Sequence, residues 1–244
     1  MTVTGEQSPT LGAAFVRAAR RLAAITAAGA LLGMLVGGVG GRLAMFVLAR
    51  RNPDATGVTS DDGFTIGQFT LAGSLNLLVV ATVLGVLGAA IYAALRGLMI
   101  GPRWFQVLSI GLGPAVVVGD QLVHVDGVDF TLLQPAWLAI VMFLAIPGLY
   151  AALLTVLAER WLAPTGFFAT GPLPLALAPL LAFGPLAPLL AAIGVGWCAL
   201  EWVRRRSGGA VPGAVGLAWL GRVALTLVFV VALVELVDKV VELT

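Results

Sequence analysis

The chain has 244 residues, of which 60% are hydrophobic and only 11% charged, and its mean hydropathy is +1.04. A soluble domain of this length cannot bury that much apolar surface, so lipid must solvate much of it. The net charge of +2 and a longest basic run of Arg204-Arg205-Arg206 exclude a nucleic-acid-binding protein. The single cysteine, Cys198, excludes an intrachain disulfide and a multi-cysteine metal site.

Residues 1–21 read as an N-terminal cytoplasmic segment. Arg17, Arg20 and Arg21 then precede an apolar stretch over 22–48, which is too long for a signal peptide and lacks a small-x-small cleavage site before Arg42. It is read as a retained first helix, long enough to cross a hydrocarbon core of roughly 30 Å at about 1.5 Å per residue. Arg50-Arg51-Asn52-Pro53 stops it. Further membrane segments are expected over 71–95, 105–123, 137–157 and 215–237. Residues 173–203 are apolar but interrupted by Pro174, Pro179, Pro185 and Pro188, a density that breaks a helix unless neighbours satisfy the freed carbonyls. A short segment before Phe183-Gly184-Pro185, followed by a longer helix, predicts a re-entrant or two-helix hairpin. The fold expectation is therefore one all-α, polytopic transmembrane bundle of about six to seven embedded segments.

Charge tests the hairpin, because cytoplasmic loops gather Lys and Arg. With the N-terminus inside and 173–203 returning to its starting side, the inside holds ten basic residues: Arg17, Arg20, Arg21, Arg96, Arg103, Arg160, Arg204, Arg205, Arg206 and Arg222. The outside holds three, Arg50, Arg51 and Lys239, with Arg42 left out because its depth is open. A single crossing of 173–203 erases that bias. The six tryptophans fall near predicted segment ends, as an aromatic belt requires.

Gly29, Gly33, Gly37 and Gly41 recur at four-residue spacing in the first segment, and Ala81, Gly85, Ala89 and Ala93 repeat the pattern in the second. Such stripes let two backbones approach closely, which predicts packing of the first segment on the second. The alternative is a seam with a second copy or another membrane protein. Arg42 is either an interfacial, snorkelling arginine or a deeper one that needs an acidic partner, and Asp120 at the end of the third segment is the candidate. Glu235, Asp238, Lys239 and Glu242 in the last segment are expected to project into water.

The two external loops hold six of the seven aspartates and the only histidine. Hard oxygen ligands in flexible loops suit a divalent cation, which makes Asp61, Asp62, Asp120, His124 and Asp126 candidate metal ligands, although their spacing matches no ligand signature. The plainer reading is that external loops are acidic because basic residues are held inside. No cofactor is indicated: a single histidine cannot supply bis-His haem ligation, and no phosphate loop, His-Glu-x-x-His or Gly-x-Ser-x-Gly run occurs.

The stretch Gly40-Gly41-Arg42-Leu43-Ala44-Met45, with Ser60-Asp61-Asp62-Gly63-Phe64 and the run Thr-Leu-Ala-Gly-Ser-Leu-Asn-Leu-Leu over 70–78, resembles uncharacterised polytopic membrane proteins of actinobacteria. The resemblance covers residues 37–78 and implies a bacterial plasma-membrane location without naming an activity. Two functional readings follow from the sequence. The first is a small transporter or cation-handling protein with an acidic external mouth. The alternative is a non-catalytic subunit of a larger membrane complex, packing through its small-residue stripes; an enzyme working through Asp61, Asp62 or His124 is a third, weaker reading.

Overall fold

The structure is a computed structural model and describes residues 11–60, 63–206 and 214–243. Among these the chain is helical and forms no strand, its one β-type pairing being an isolated antiparallel bridge between Thr59 and Thr65. In chain order the helices are α1 (Leu11–Leu32), α2 (Gly40–Arg51), α3 (Leu71–Leu95), α4 (Arg103–Leu122), the single turn α5 (Val128–Thr131), α6 (Ala136–Trp161), the single turn α7 (Phe167–Thr170), α8 (Leu173–Ala182), α9 (Ala187–Arg206) and α10 (Ala214–Leu243). Five helical stretches are long and apolar enough to cross a membrane: Gly12–Arg51, Leu71–Leu98, Arg103–Leu122, Ala136–Trp161 and Val215–Leu243. Their outer faces carry rows of exposed large apolar side chains, such as Leu75, Val79, Leu84 and Ile91 on α3. Only a lipid solvent tolerates surfaces of that extent.

The first stretch is longer than 22–48 and is not a plain α-helix. A π-helical segment, Gly33–Val39, joins α1 to α2. Residues four apart on a straight α-helix drift by about 40° per step, so a long row of glycines would rotate away from its partner. The wider π turn opposes that drift. Gly29, Gly33, Gly37, Gly38 and Gly41 all remain against α3 as a result, next to Gly85, Ala81, Leu78 and Leu77. A Cβ on Gly29 would lie 2.6 Å from the Gly85 carbonyl oxygen, and one on Gly85 would lie 2.6 Å from the Gly33 Cα. Backbone meets backbone here, which only glycine permits. The Tyr150 hydroxyl of α6 also donates to the Gly85 carbonyl. The close contacts of this stripe are within the chain.

A second small-residue seam joins α4 to α6. Added Cβ atoms on Gly111 and Gly148 would lie 3.2 Å from the Ala152 Cβ and 3.0 Å from the Ala115 Cβ respectively.

Polar contacts sort the helix ends into two groups. At one end the Arg96 guanidinium grips Glu159 through Nε at 2.5 Å and Nη2 at 2.9 Å, and the Tyr92 hydroxyl donates to the same carboxylate at 2.9 Å. Arg20 donates to the Phe168 and Gly171 carbonyls around α7, each at 2.9 Å, and Arg222 of α10 donates to the Leu98 carbonyl at 2.9 Å. At the other end Asn52, buried after α2, accepts from the Gln134 backbone N–H at 2.7 Å, and Lys239 meets Asp120. Hence α10 starts beside the start of α4 and runs parallel to it. Helix α6 finishes at that same end. At ten residues α8 extends about 15 Å, half of a hydrocarbon core, and is too short to cross alone.

Candidate functional site

The two ends differ in charge. The end holding the 50–70 and 119–135 loops carries Asp54, Asp120, Asp126, Asp129, Glu235, Asp238 and Glu242 against Arg42, Arg50, Arg51 and Lys239 among the described residues. The opposite end carries Arg17, Arg20, Arg21, Arg96, Arg103, Arg160 and Arg222, with Glu159 as the one acid among its described side chains. A field of this sign concentrates cations at the first end.

Asp120 is the polar centre of the acidic end. It lies in the last turn of α4 and is 1% exposed. Helix α4 places it there because Gly119 keeps the preceding position slim, its Cα facing Leu144 of α6 so closely that an added Cβ would sit 2.9 Å from the Leu144 Cγ. A carboxylate at a helix C-terminus faces the negative end of the helix dipole and is poorly placed on its own. Lys239 of α10 corrects this: its Nζ lies 2.8 Å from the Asp120 Oδ1 and donates to the Asp120 backbone carbonyl at 2.6 Å. That carbonyl is one of those a helix end leaves without an internal partner, so a single ammonium neutralises the carboxylate and caps the helix. Gln121 Nε2 donates to the other carboxylate oxygen, Oδ2, at 2.8 Å.

Beside Asp120 a groove runs between α4 and α10. Its volume is about 350 Å³, and it is open on its α10 side, where Leu227, Val228 and Val231 are exposed. Asp120, Gln121 and Glu235 line its head; Val117, Leu227, Val228, Val231 and Ala232 line its body. Eight residues of α10 separate Glu235 from Leu227, which gives the groove a depth of about 12 Å along the helix. A cation with an apolar tail matches this arrangement, whereas an anion meets two carboxylates.

The predicted pairing of Arg42 with Asp120 is corrected by these contacts. Asp120 pairs with Lys239, and Arg42 lies under the 50–70 loop, level with the first turn of α3. An added Cβ on Gly73 would be 3.0 Å from the Arg42 Nη2, and the guanidinium carbon sits 5.0 Å and 5.9 Å from the ring centroids of Phe64 and Phe69. Its Nη1 is 3.9 Å from the Met45 sulfur, while Nε and Nη2 are buried with no hydrogen-bond partner among the described residues. They border a cavity of about 40 Å³ that Ser60, Gln68 and Asp129 also line. Two aromatic faces thus shelter this charge in place of a carboxylate.

The expectation that Lys239 projects into water is overturned with it. That the last helix turns Lys239 inward was missed because the i, i+4 spacing of Glu235 and Lys239 offered a partner on its own helix. Nor do the candidate metal ligands converge. Asp120 is committed to Lys239; His124 is exposed, its Nδ1 3.1 Å from the Leu122 carbonyl; Asp126 is exposed. Among the described residues no group of three or more His, Cys, Asp or Glu side chains is placed to hold a metal ion. Asp61 and Asp62 lie outside the described residues.

Compared with protein-family models, with curated proteins and with solved structures, the chain has no match.

Proposed function

We propose that this multi-pass membrane protein is a small transporter or carrier for cationic solutes, resident in a bacterial plasma membrane, with its basic end cytoplasmic and its acidic end outside. The observation that carries the reading is the carboxylate pair Asp120 and Glu235 at the head of an apolar groove. Acidic groups at membrane depth are costly, and they are retained where they pair internally or face a solute path. Supporting it are the opposed charges of the two ends, which match the positive-inside rule with α10 ending outside, and the proline-broken helices α8 and α9, since discontinuous helices commonly line transport sites.

The test is uptake of an organic monovalent cation, ethidium, into proteoliposomes that contain the full chain. Uptake above that of empty vesicles, reduced several-fold by Glu235→Gln, is expected. Glu235 makes no ion pair within 4.0 Å to a described residue, and its side chain meets the Asp120 carboxylate, so its replacement reads the acidic head of the groove. Uptake equal to that of empty vesicles overturns the reading. A stoichiometric partner recovered on mild solubilisation would then favour the subunit alternative. Such a partner would need a surface other than the Gly29–Gly33–Gly37 stripe, which α3 already covers.

A further inference from the structure

We infer that the basic end carries a lipid headgroup site where α10 meets the connection between α3 and α4. Arg222, backed by Arg103 at the start of α4, binds the phosphate of an anionic phospholipid in the adjoining leaflet. The site lies at the end opposite Asp120 and is independent of the cation-handling reading.

The contacts of Arg222 fix its depth. Its Nε donates to the Leu98 carbonyl at 2.9 Å, and an added Cβ on the neighbouring Gly221 would lie 3.0 Å from the Leu98 Cδ1. Leu98 ends one candidate span and Arg103 begins the next, so Arg222 is level with the place where two helices leave the hydrocarbon, although α10 itself begins earlier, at Ala214. Trp219 and Trp104 are 58% and 65% exposed at the same end, as amphipathic rings are where headgroups meet acyl chains.

Charge names the class of occupant. Arg96, Arg103 and Arg222 stand around this connection, and Glu159 is the one acid among the described side chains of the basic end. Arg96 holds that carboxylate through two nitrogens, and Arg103 is near enough to act on it through space without an ion pair within 4.0 Å. Three guanidiniums against one carboxylate leave two positive charges uncompensated, and basic crevices between membrane helices suit anionic headgroups.

Arg222 is the member built to clamp a phosphate. Its Nε is fixed on a carbonyl, and its guanidinium carbon lies 5.4 Å from the Trp219 ring centroid, so the side chain is held in place without a ligand. A guanidinium has five N–H donors; the four on Nη1 and Nη2 make no hydrogen bond to a described residue and match the paired oxygens of a phosphate. Beyond Arg222, towards the middle of α10, Val223 and Leu227 are exposed. A phospholipid lays its acyl chains on that apolar surface while its phosphate meets Arg222, and a free phosphate ion has no use for it.

The test uses the full chain in neutral detergent, with phosphatidylglycerol as the probe and phosphatidylcholine of the same acyl chains as the comparison. Bound lipid is measured by native mass spectrometry during titration. Phosphatidylglycerol is expected to bind and to raise the melting temperature; phosphatidylcholine, which sets a choline cation against the arginines, should bind more weakly. Arg222→Gln should weaken phosphatidylglycerol binding on the order of fivefold, the effect of one arginine beside an anionic headgroup. Arg222→Lys keeps the charge without the paired donors and should restore only part of the loss. Because Arg222→Gln also gives up the Leu98 bond, Arg103→Gln provides a variant that leaves that contact untouched, and it should weaken binding by a similar factor. Arg51→Gln, at the acidic end, should bind as the wild type does. Equal binding of the two lipids, undiminished binding in both Arg222→Gln and Arg103→Gln, or an equal loss in Arg51→Gln overturns the inference. Displacement of phosphatidylglycerol by inorganic phosphate would make a free anion the ligand and overturn the lipid assignment.

Discussion

At the scale of single residues, two half-buried cationic side chains at the acidic end have opposite consequences. Lys239 completes Asp120, and either Asp120→Asn or Lys239→Gln leaves a buried group without its partner, at a cost of about 1–3 kcal/mol. The larger figure for a fully buried pair does not apply, since Lys239 keeps 28% of its side chain exposed. Arg42 holds two nitrogens that no described residue satisfies. Arg42→Met keeps the length of the side chain beside Phe64 and Phe69 and removes those donors, and replacing such a group by an apolar one is nearly neutral or stabilising. Thermal unfolding in detergent should show a lowered melting temperature for Asp120→Asn and an unchanged or raised one for Arg42→Met. Equal losses in the two variants would mean that Arg42 has a partner as demanding as that of Asp120.

At the scale of elements, the small-residue seams replace the hydrophobic drive that lipid removes between helices. Gly85→Leu forces a side chain into the Gly29 and Gly33 backbones, and overpacking of this kind costs about 1–3 kcal/mol or more. Gly113→Ala on α4 meets nothing within 4 Å and should melt with the wild type, so comparing the two melting temperatures separates seam from surface. The stripe on the first segment was legible because four glycines recur at one interval. The seam of Gly111 and Ala115 against Gly148 and Ala152 carries the same signal in two shorter pieces, and went unread beside the prolines of both helices, Pro114 and Pro147. That the chain is an all-helical membrane bundle was legible from hydropathy. The π turn was not, since nothing in Gly-Met-Leu-Val-Gly-Gly-Val marks a wider turn until the helix must follow α3. Asp120 stood out as a polar residue at a helix end, but its partner lies 119 residues away and sequence spacing carries no information at that range.

For the whole molecule, the distribution of charge gives the fold its direction. The Arg96–Glu159 and Arg222–Leu98 contacts bind the basic end together, and the Asn52–Gln134 and Lys239–Asp120 contacts bind the acidic end. The account depends on the 50–70 and 119–135 loops and the end of α10 sharing one membrane face, because the groove head is built from α4 and α10 together. That claim is tested most directly by labelling intact cells with a membrane-impermeant thiol reagent, using single cysteines at Ser60, Val125, Thr165 and Val241 in a Cys198→Ala background. Labelling at 60, 125 and 241, with 165 reacting only after permeabilisation, is the predicted result; protection of 241 while 60 and 125 react would place the end of α10 on the opposite face and contradict the account.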